Sequence, residues 1–290
     1  MLALGFFDGV HIGHGALLRR ARELADARGC TAEAVSFDRH PDTLVFGQPV
    51  SLLTTPAQRE ALMRGLYGID ALHVLHFDRA MMAMPWEDFL RDVLVGQLHA
   101  EYVVCGDDYR FGAGGAGDAE RLRAWYEARG LGCEVIPRVR LDGEIVSSTR
   151  IRDLLLKGDA AGAERLLGHP HLISGPVIFG FQKGRTIGIP TANVAFAPDL
   201  LVPAYGVYAA SAETEGKRYG AVVNIGVHPS VGALPAPVLE AHLLDFDHEI
   251  YGKPLSVYLH RQLRPEKTFP SIEALREQIA VDCAQVRNFL

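Results

Sequence analysis

Over the first half of the chain, apolar positions switch between two periods. Short apolar runs at Leu2–Phe6, Thr31–Phe37, Ala71–Phe77, Tyr102–Cys105 and Cys133–Ile136 read as buried strands. Between them, apolar residues recur at helical spacing over about His14–Arg28, Pro56–Tyr67, Pro85–Leu98 and Ala119–Gly130. In the first of these helices Leu17, Leu18, Ala21, Leu24 and Ala25 share one face, and Thr55 before Pro56 caps the second. Such alternation predicts a parallel sheet covered by helices, an α/β Rossmann-like domain. A helix over Thr149–Lys157 and a helical hairpin over Gly158–Leu167 follow. The helical period then disappears, and strand-like runs take over at Ile173–Phe179, Gly206–Ala212, Arg218–Asn224, Val238–Leu244 and Leu255–Leu263. With Glu215-Gly216 as a hairpin turn, these predict a small antiparallel β-barrel. A C-terminal amphipathic helix from about Ser271 gathers Ile272, Leu275, Ile279, Val286 and Phe289 into one packing stripe. The change of pattern at Gly168-His169-Pro170-His171 divides the chain into expected domains 1–168 and 169–290.

Composition narrows the partners. A length of 290 residues suits two domains, and 48% hydrophobic with 22% charged residues is a globular composition. No apolar run approaches the roughly 20 residues of a membrane helix. Met1-Leu2-Ala3-Leu4 has neither a basic region nor a cleavage site, so a cytoplasmic protein is expected. A net charge of −6 argues against nucleic-acid and anionic-membrane partners and favours small molecules. It says nothing of the oligomeric state. Cys30, Cys105, Cys133 and Cys283 lack metal-site spacing and are expected to be buried or half-buried free thiols.

Candidate chemistry starts at Gly5-Phe6-Phe7-Asp8-Gly9-Val10-His11-Ile12-Gly13-His14. A strand, an Asp-Gly turn and a helix start offer unpaired amides to a phosphate, with two imidazoles flanking a glycine. As a bare pattern, His11 and His14 are equally compatible with capping histidines. Gly106–Asp118 carries five glycines around Tyr109, Arg110 and Phe111 and is expected to be a loop at a strand end. Ser147, Ser148, Thr149, Arg150 and Arg152 put hydroxyls and cations on the first turns of a helix, a second anion site. In the barrel, Gly180, Lys183, Gly184 and Arg185 form a cationic glycine-rich loop; Pro190 then makes a corner presenting Thr191 and Asn193 as hard oxygen ligands. Glu240 is a carboxylate inside an apolar strand, costly unless partnered or used.

These stretches, in this order, resemble the bacterial bifunctional riboflavin kinase/FAD synthetases. His11-Ile12-Gly13-His14 is similar to the His-x-Gly-His of nucleotidylyltransferases, Val146–Arg152 to Ile-Ser-Ser-Thr-x-x-Arg, and Tyr109-Arg110-Phe111-Gly112 to the family's Phe-x-Phe-Gly. Gly184–Asn193 resembles the riboflavin kinase signature, and Glu240–Phe246 the segment carrying that kinase's base. The resemblance implies ATP-dependent phosphorylation of riboflavin to FMN in the barrel and adenylylation of FMN to FAD, with release of pyrophosphate, in the α/β domain, both with Mg²⁺. It further implies His11, His14 and Glu240 as catalytic residues, and Gly5, Phe7, Gly13, Ser148, Thr149, Arg152, Gly180, Lys183, Gly184 and Arg185 at nucleotide or phosphate. Asp38, Asp108 and Phe111 fall to the flavin, and Thr191 and Asn193 to the metal. Asp38-Arg39-His40-Pro41 departs from the family's usual Asn and Pro-His-Pro there, and family members have a longer lead-in before the first motif.

Overall fold

The apolar runs of the first half become five parallel strands: β1 Leu2–Leu4, β2 Glu33–Phe37, β3 Ala71–Leu75, β4 Tyr102–Gly106 and β5 Gly132–Ile136. The structure, a computed structural model, describes residues 1–180, 188–228 and 236–289. Its contacts form two units, Met1–Ser148 and Thr149–Leu290.

In the first unit the strand order is β3-β2-β1-β4-β5, so β1 is central and all three of its residues are buried. The chain winds to one side of β1 and then returns to the other. The reversal falls between β1 and β4, and open α/β sheets take ligands at the carboxyl ends of the strands at such a point. Helix α1, Ile12–Arg28, starts two residues earlier than its apolar period suggests, because His11 caps it, and ends at Gly29 with φ 65°. Helix α2, Pro56–Tyr67, has the predicted Thr55 cap in a full capping box with Gln58. The helix over Trp86–Gln97 widens after Asp88: Leu98 N–H reaches back five residues to Val93 O at 3.0 Å. The Gly106–Asp118 segment is more ordered than its glycines imply. Arg110–Phe111 pairs with Gly117–Asp118, and Gly112, at φ 73°, lets the turn close over the Trp86 backbone. Helix α3 spans Ala119–Glu127, and a hairpin turns at Asp142-Gly143 as expected, with φ 54° and 82°.

Two helices, α4 Ser148–Leu156 and α5 Ala160–Leu167, lead into a closed antiparallel barrel. Its strands are β6 His171–Ile178, β7 Ala192–Ala195, β8 Gly206–Thr214, β9 Lys217–His228, β10 Ala236–Leu243 and β11 Pro254–Arg264. They close in the order β6-β7-β10-β9-β8-β11. The expectation of five strands omits β7, a four-residue strand behind Pro190 that gives almost no periodic signal.

Helix α6, Ile272–Phe289, covers the outside of the barrel, but its contact differs from the expected apolar stripe. Val286 is fully buried, whereas Ile272 and Phe289 are exposed. A polar residue joins Val286 in the contact: Asp282, 1% exposed, accepts from Arg264 Nη2 at 2.8 Å and Nε at 3.1 Å, and from Gln278 Nε2 at 3.0 Å. Removing one partner of a buried pair strands the other charge. Asp282→Ala is therefore expected to cost about 3 kcal/mol. Calorimetry should show the midpoint of this unit lowered by about 8 °C. The four cysteines are free, and Cys30 is exposed rather than buried, because it follows the helix-ending Gly29.

Candidate active sites

The loop after β1 is built under strain and held from below. Phe7, fully buried, and Val10 sit in the left-handed region at φ 58° and 45°, where a side chain costs roughly 1 kcal/mol or more. Asp8 offsets this. Its carboxylate, 1% exposed, accepts from the Leu53 and Thr54 amides at 2.9 Å and 3.0 Å, and Gly9 N–H donates to Thr54 Oγ1 at 2.9 Å. A segment 45 residues away thus fixes the loop's curvature.

The two histidines end up against one another. His11 Nδ1 accepts from His14 N–H at 3.2 Å, and the rings stack with centroids 3.5 Å apart and planes 12° from parallel. Phe7 packs edge-on against His14 at 5.3 Å. A Cβ on Gly13 would come within 3.0 Å of the His11 ring, so glycine is what lets that ring lie flat. Burial, then His11, then Arg59 lower the pKa of His14 well below its usual 6.5. His14 is therefore a neutral imidazole at pH 7, and its buried Nδ1 has no hydrogen-bond partner among the described residues.

The remaining candidates of this half are placed as follows. Gly5 follows β1, and a Cβ there would press on the Phe7 ring at 3.1 Å. Ser148 Oγ donates to the carbonyl of Asp8 at 2.9 Å. Thr149 and Arg152 lie on the first two turns of α4. Asp38 already has partners: it accepts from Phe77 N–H at 2.9 Å and meets His76 Nδ1 at 2.6 Å, tying the ends of β2 and β3. Burial pushes its pKa up, but those two contacts outweigh it and hold the carboxyl below the usual range. Asp108 is exposed on a turn, whereas Phe111 is buried, stacked on Tyr109 at 5.4 Å and packed against Phe89 at 5.8 Å.

In the barrel, strand alternation sorts core from site. Leu239, Ala241 and Leu243 of β10 point into the core, which leaves Glu240 and His242 on the other face. Register places Glu240 opposite Asn193 on β7 and Asn224 on β9, a polar row crossing three adjacent strands. Asn224 Nδ2 donates to Glu266 Oε1 at 3.3 Å and extends the row. Asn193 is 6% exposed and lies under Gly180, where a Cβ would collide with its amide. His242 Nδ1 donates to the Pro190 carbonyl at 2.9 Å, fixing the corner before Thr191. Thr191 and Asn193 line a cavity of about 260 Å³ together with Val177, Phe246, Ile250 and Tyr251. Tyr251 stacks on the exposed Phe179 at 4.1 Å. Lys183, Gly184 and Arg185 lie outside the described residues. Asp245 pairs with Arg287 of α6 at 2.9 Å.

Sequence reasoning overlooked two features of these sites. One is the Phe179–Tyr251 stack, made by residues 72 positions apart that no local pattern joins. The other is Arg59, fully buried behind the first loop. A cation on the first turn of an amphipathic helix ordinarily faces solvent, so nothing in the local pattern marks it.

The comparisons with known proteins fit both halves. Residues 1–150 match the FAD synthetase family and residues 167–290 the riboflavin kinase family. A parallel α/β unit of the first kind joined to a barrel of the second defines a two-site, flavin-handling transferase. The chain is 38% identical to the bifunctional riboflavin kinase/FMN adenylyltransferase of Pseudomonas fluorescens, covering 98% of this chain and 91% of that protein. It is 36% identical to that of Escherichia coli K12, covering 100% and 92%, and 33% identical to that of Listeria monocytogenes, with the same coverages. A crystal structure titled as a macrolide-efflux protein from Streptococcus pneumoniae has a TM-score of 0.85 and 29% identity, covering 99% of this chain and 93% of that one. The chain belongs to the bifunctional riboflavin kinase/FMN adenylyltransferase family. Among the described residues no helix is long and apolar enough to cross a membrane.

Proposed function

We propose that the two sites divide the work as follows, with residues 1–168 taken as the adenylyltransferase and 169–290 as the kinase. The chain uses ATP twice, to phosphorylate riboflavin to FMN and to adenylylate FMN to FAD with release of pyrophosphate. The observation that carries the kinase reading is Glu240 paired in register with Asn193, which lines the barrel cavity. Riboflavin's hydroxyl is protonated at neutral pH, so a base is needed, and Glu240 removes that proton as the hydroxyl attacks the γ-phosphate. Lys183, Gly184 and Arg185 hold the triphosphate by resemblance alone, and Gly180 is kept small so that Asn193 can stay in place.

Adenylylation needs no base, because FMN attacks through a phosphate already carrying close to two charges. The task is to position that phosphate against the α-phosphate of ATP and to stabilise the charge built up there. Gly5, Phe7 and Gly13 shape the loop; His11 and His14 donate to the α-phosphate and the departing pyrophosphate, His14 as a neutral imidazole. Ser148, Thr149 and Arg152 are assigned to the phosphates by resemblance, and Asp38, Asp108 and Phe111 to the flavin side. For Asp38 this role passes through the strand ends it ties, since its oxygens are engaged.

Thr191 and Asn193 are two neutral oxygen donors at the cavity rim, a set that suits Mg²⁺ held mainly by nucleotide phosphates and water. When bound, the ion neutralises charge on the phosphates. We place the protein in the cytoplasm, where riboflavin, FMN and ATP meet. The test is a time course of the purified chain with riboflavin, ATP and Mg²⁺, with flavins separated by chromatography. FMN should rise and FAD should follow; failure to form FAD from supplied FMN would remove the first half of the reading.

A further inference from the structure

Arg59 is a cation buried in the first unit. It is 0% exposed, and a buried cation loses several kcal/mol of hydration. It sits on the first turn of α2, where the helix dipole is positive and repels it. The stacked His11–His14 pair adds no opposite charge. Its Nη1 donates to the Phe6 carbonyl at 2.9 Å, the Phe37 carbonyl at 3.2 Å and Ser36 Oγ, gripping the ends of β1 and β2. The guanidinium lies 4.4 Å from the centre of the Phe6 ring. Its Nε and Nη2 are buried with no hydrogen-bond partner among the described residues. Asp8 and Asp38 favour its charge from a distance, but Asp8 receives the Leu53 and Thr54 amides and Asp38 receives Phe77 and His76. Burial outweighs them and draws the guanidinium pKa down to about 10, still charged at neutral pH.

A tie between two strand ends does not need a charge; a neutral amide would make the same hydrogen bonds without the desolvation cost. What a fixed cation adds is a field, little screened in a dry interior, at the carboxyl ends of β1 and β2. Resting on the adenylyltransferase reading above, we propose that Arg59 is a positioning residue of FMN adenylylation, the fixed counter-charge beneath the His-x-Gly-His loop that stabilises the negative charge collected on the reacting phosphates. It touches no substrate. It acts through the Phe6 carbonyl, the Phe6 ring and the loop that follows them.

Three substitutions in the full chain separate charge from tie. Arg59→Lys keeps the charge and offers three N–H groups to the same acceptors. Arg59→Gln keeps a hydrogen-bonding amide without charge, and Arg59→Met keeps neither. A unit charge at about 8 Å and an effective dielectric constant of about 20 is worth roughly 30-fold in rate. The expected result is kcat/KM for FAD formation from supplied FMN lowered about 30-fold by both Gln and Met, and held within about 3-fold of the parent by Lys. Riboflavin phosphorylation, read in the same samples, should be unchanged in all three, with unfolding curves showing that the first unit is folded. Recovery of FAD formation by Gln would make Arg59 a structural tie only, and full activity of Met would remove the proposal. If the parent chain itself makes FMN but no FAD, the adenylyltransferase reading has failed instead.

Discussion

Glu240→Gln should leave a chain that still makes FAD when given FMN but hardly makes FMN from riboflavin. A positioned base contributes about 100- to 10,000-fold, so a loss near 1,000-fold in kcat for riboflavin phosphorylation is expected. The substitution removes a charge but almost no volume. Asn193 and Asn224 flank position 240 on either strand and can hydrogen-bond to an amide as readily as to a carboxylate. The barrel should therefore keep its unfolding midpoint, and the KM for ATP should move little. Chromatography of flavins after incubation with riboflavin in one tube and FMN in another reads both activities. Equal loss of both would point to misfolding; no loss of phosphorylation would take the base role away from Glu240.

The complementary result is expected at His14. His14→Ala should lower FAD formation from FMN several hundred-fold, in the range for removing one donor aimed at transition-state charge, and leave FMN formation intact. The pH dependence follows from its environment. Burial, His11 and Arg59 all disfavour the protonated ring, so its pKa lies well below 6.5 and the neutral form prevails at pH 7. Lowering the pH from 8 to 6.5 should therefore bring no loss of FAD formation from His14, and an acid limb of kcat/KM appears only at lower pH. A fall in kcat/KM as the pH rises from 6.5 to 8 would mean that a cationic histidine is required instead.

What could be read from the sequence is what neighbours in sequence carry by themselves. The stretch from Gly5 to His14 is strand, turn and helix start in ten residues, so its shape follows from local chemistry. Glu240 stands out because Leu239, Ala241 and Leu243 alternate around it. The parts that escaped are those whose meaning comes from distant residues. Asp8 is explained by Leu53 and Thr54, 45 and 46 positions on, and Arg59 by Phe6, 53 positions back. Asp282 interrupts an apolar stripe and looks like a solvent residue until Arg264 is seen beside it. Strand β7 has four residues, too few for a period to show, and its register rather than its composition puts Asn193 next to Glu240. The Gly106–Asp118 segment erred the other way: its glycines promised irregularity, yet Gly112 is there to let Arg110–Phe111 fold back and pair.

Asp282 and Val286 of α6 also set an order of assembly. The five-stranded sheet is complete once Ile136 has been made, whereas the barrel lacks its outer cover until Val286 exists. At ribosomal speeds of about 5–20 residues per second, that interval is on the order of ten seconds. Synthesis therefore completes the sheet of the half that consumes FMN before the cover of the half that makes it.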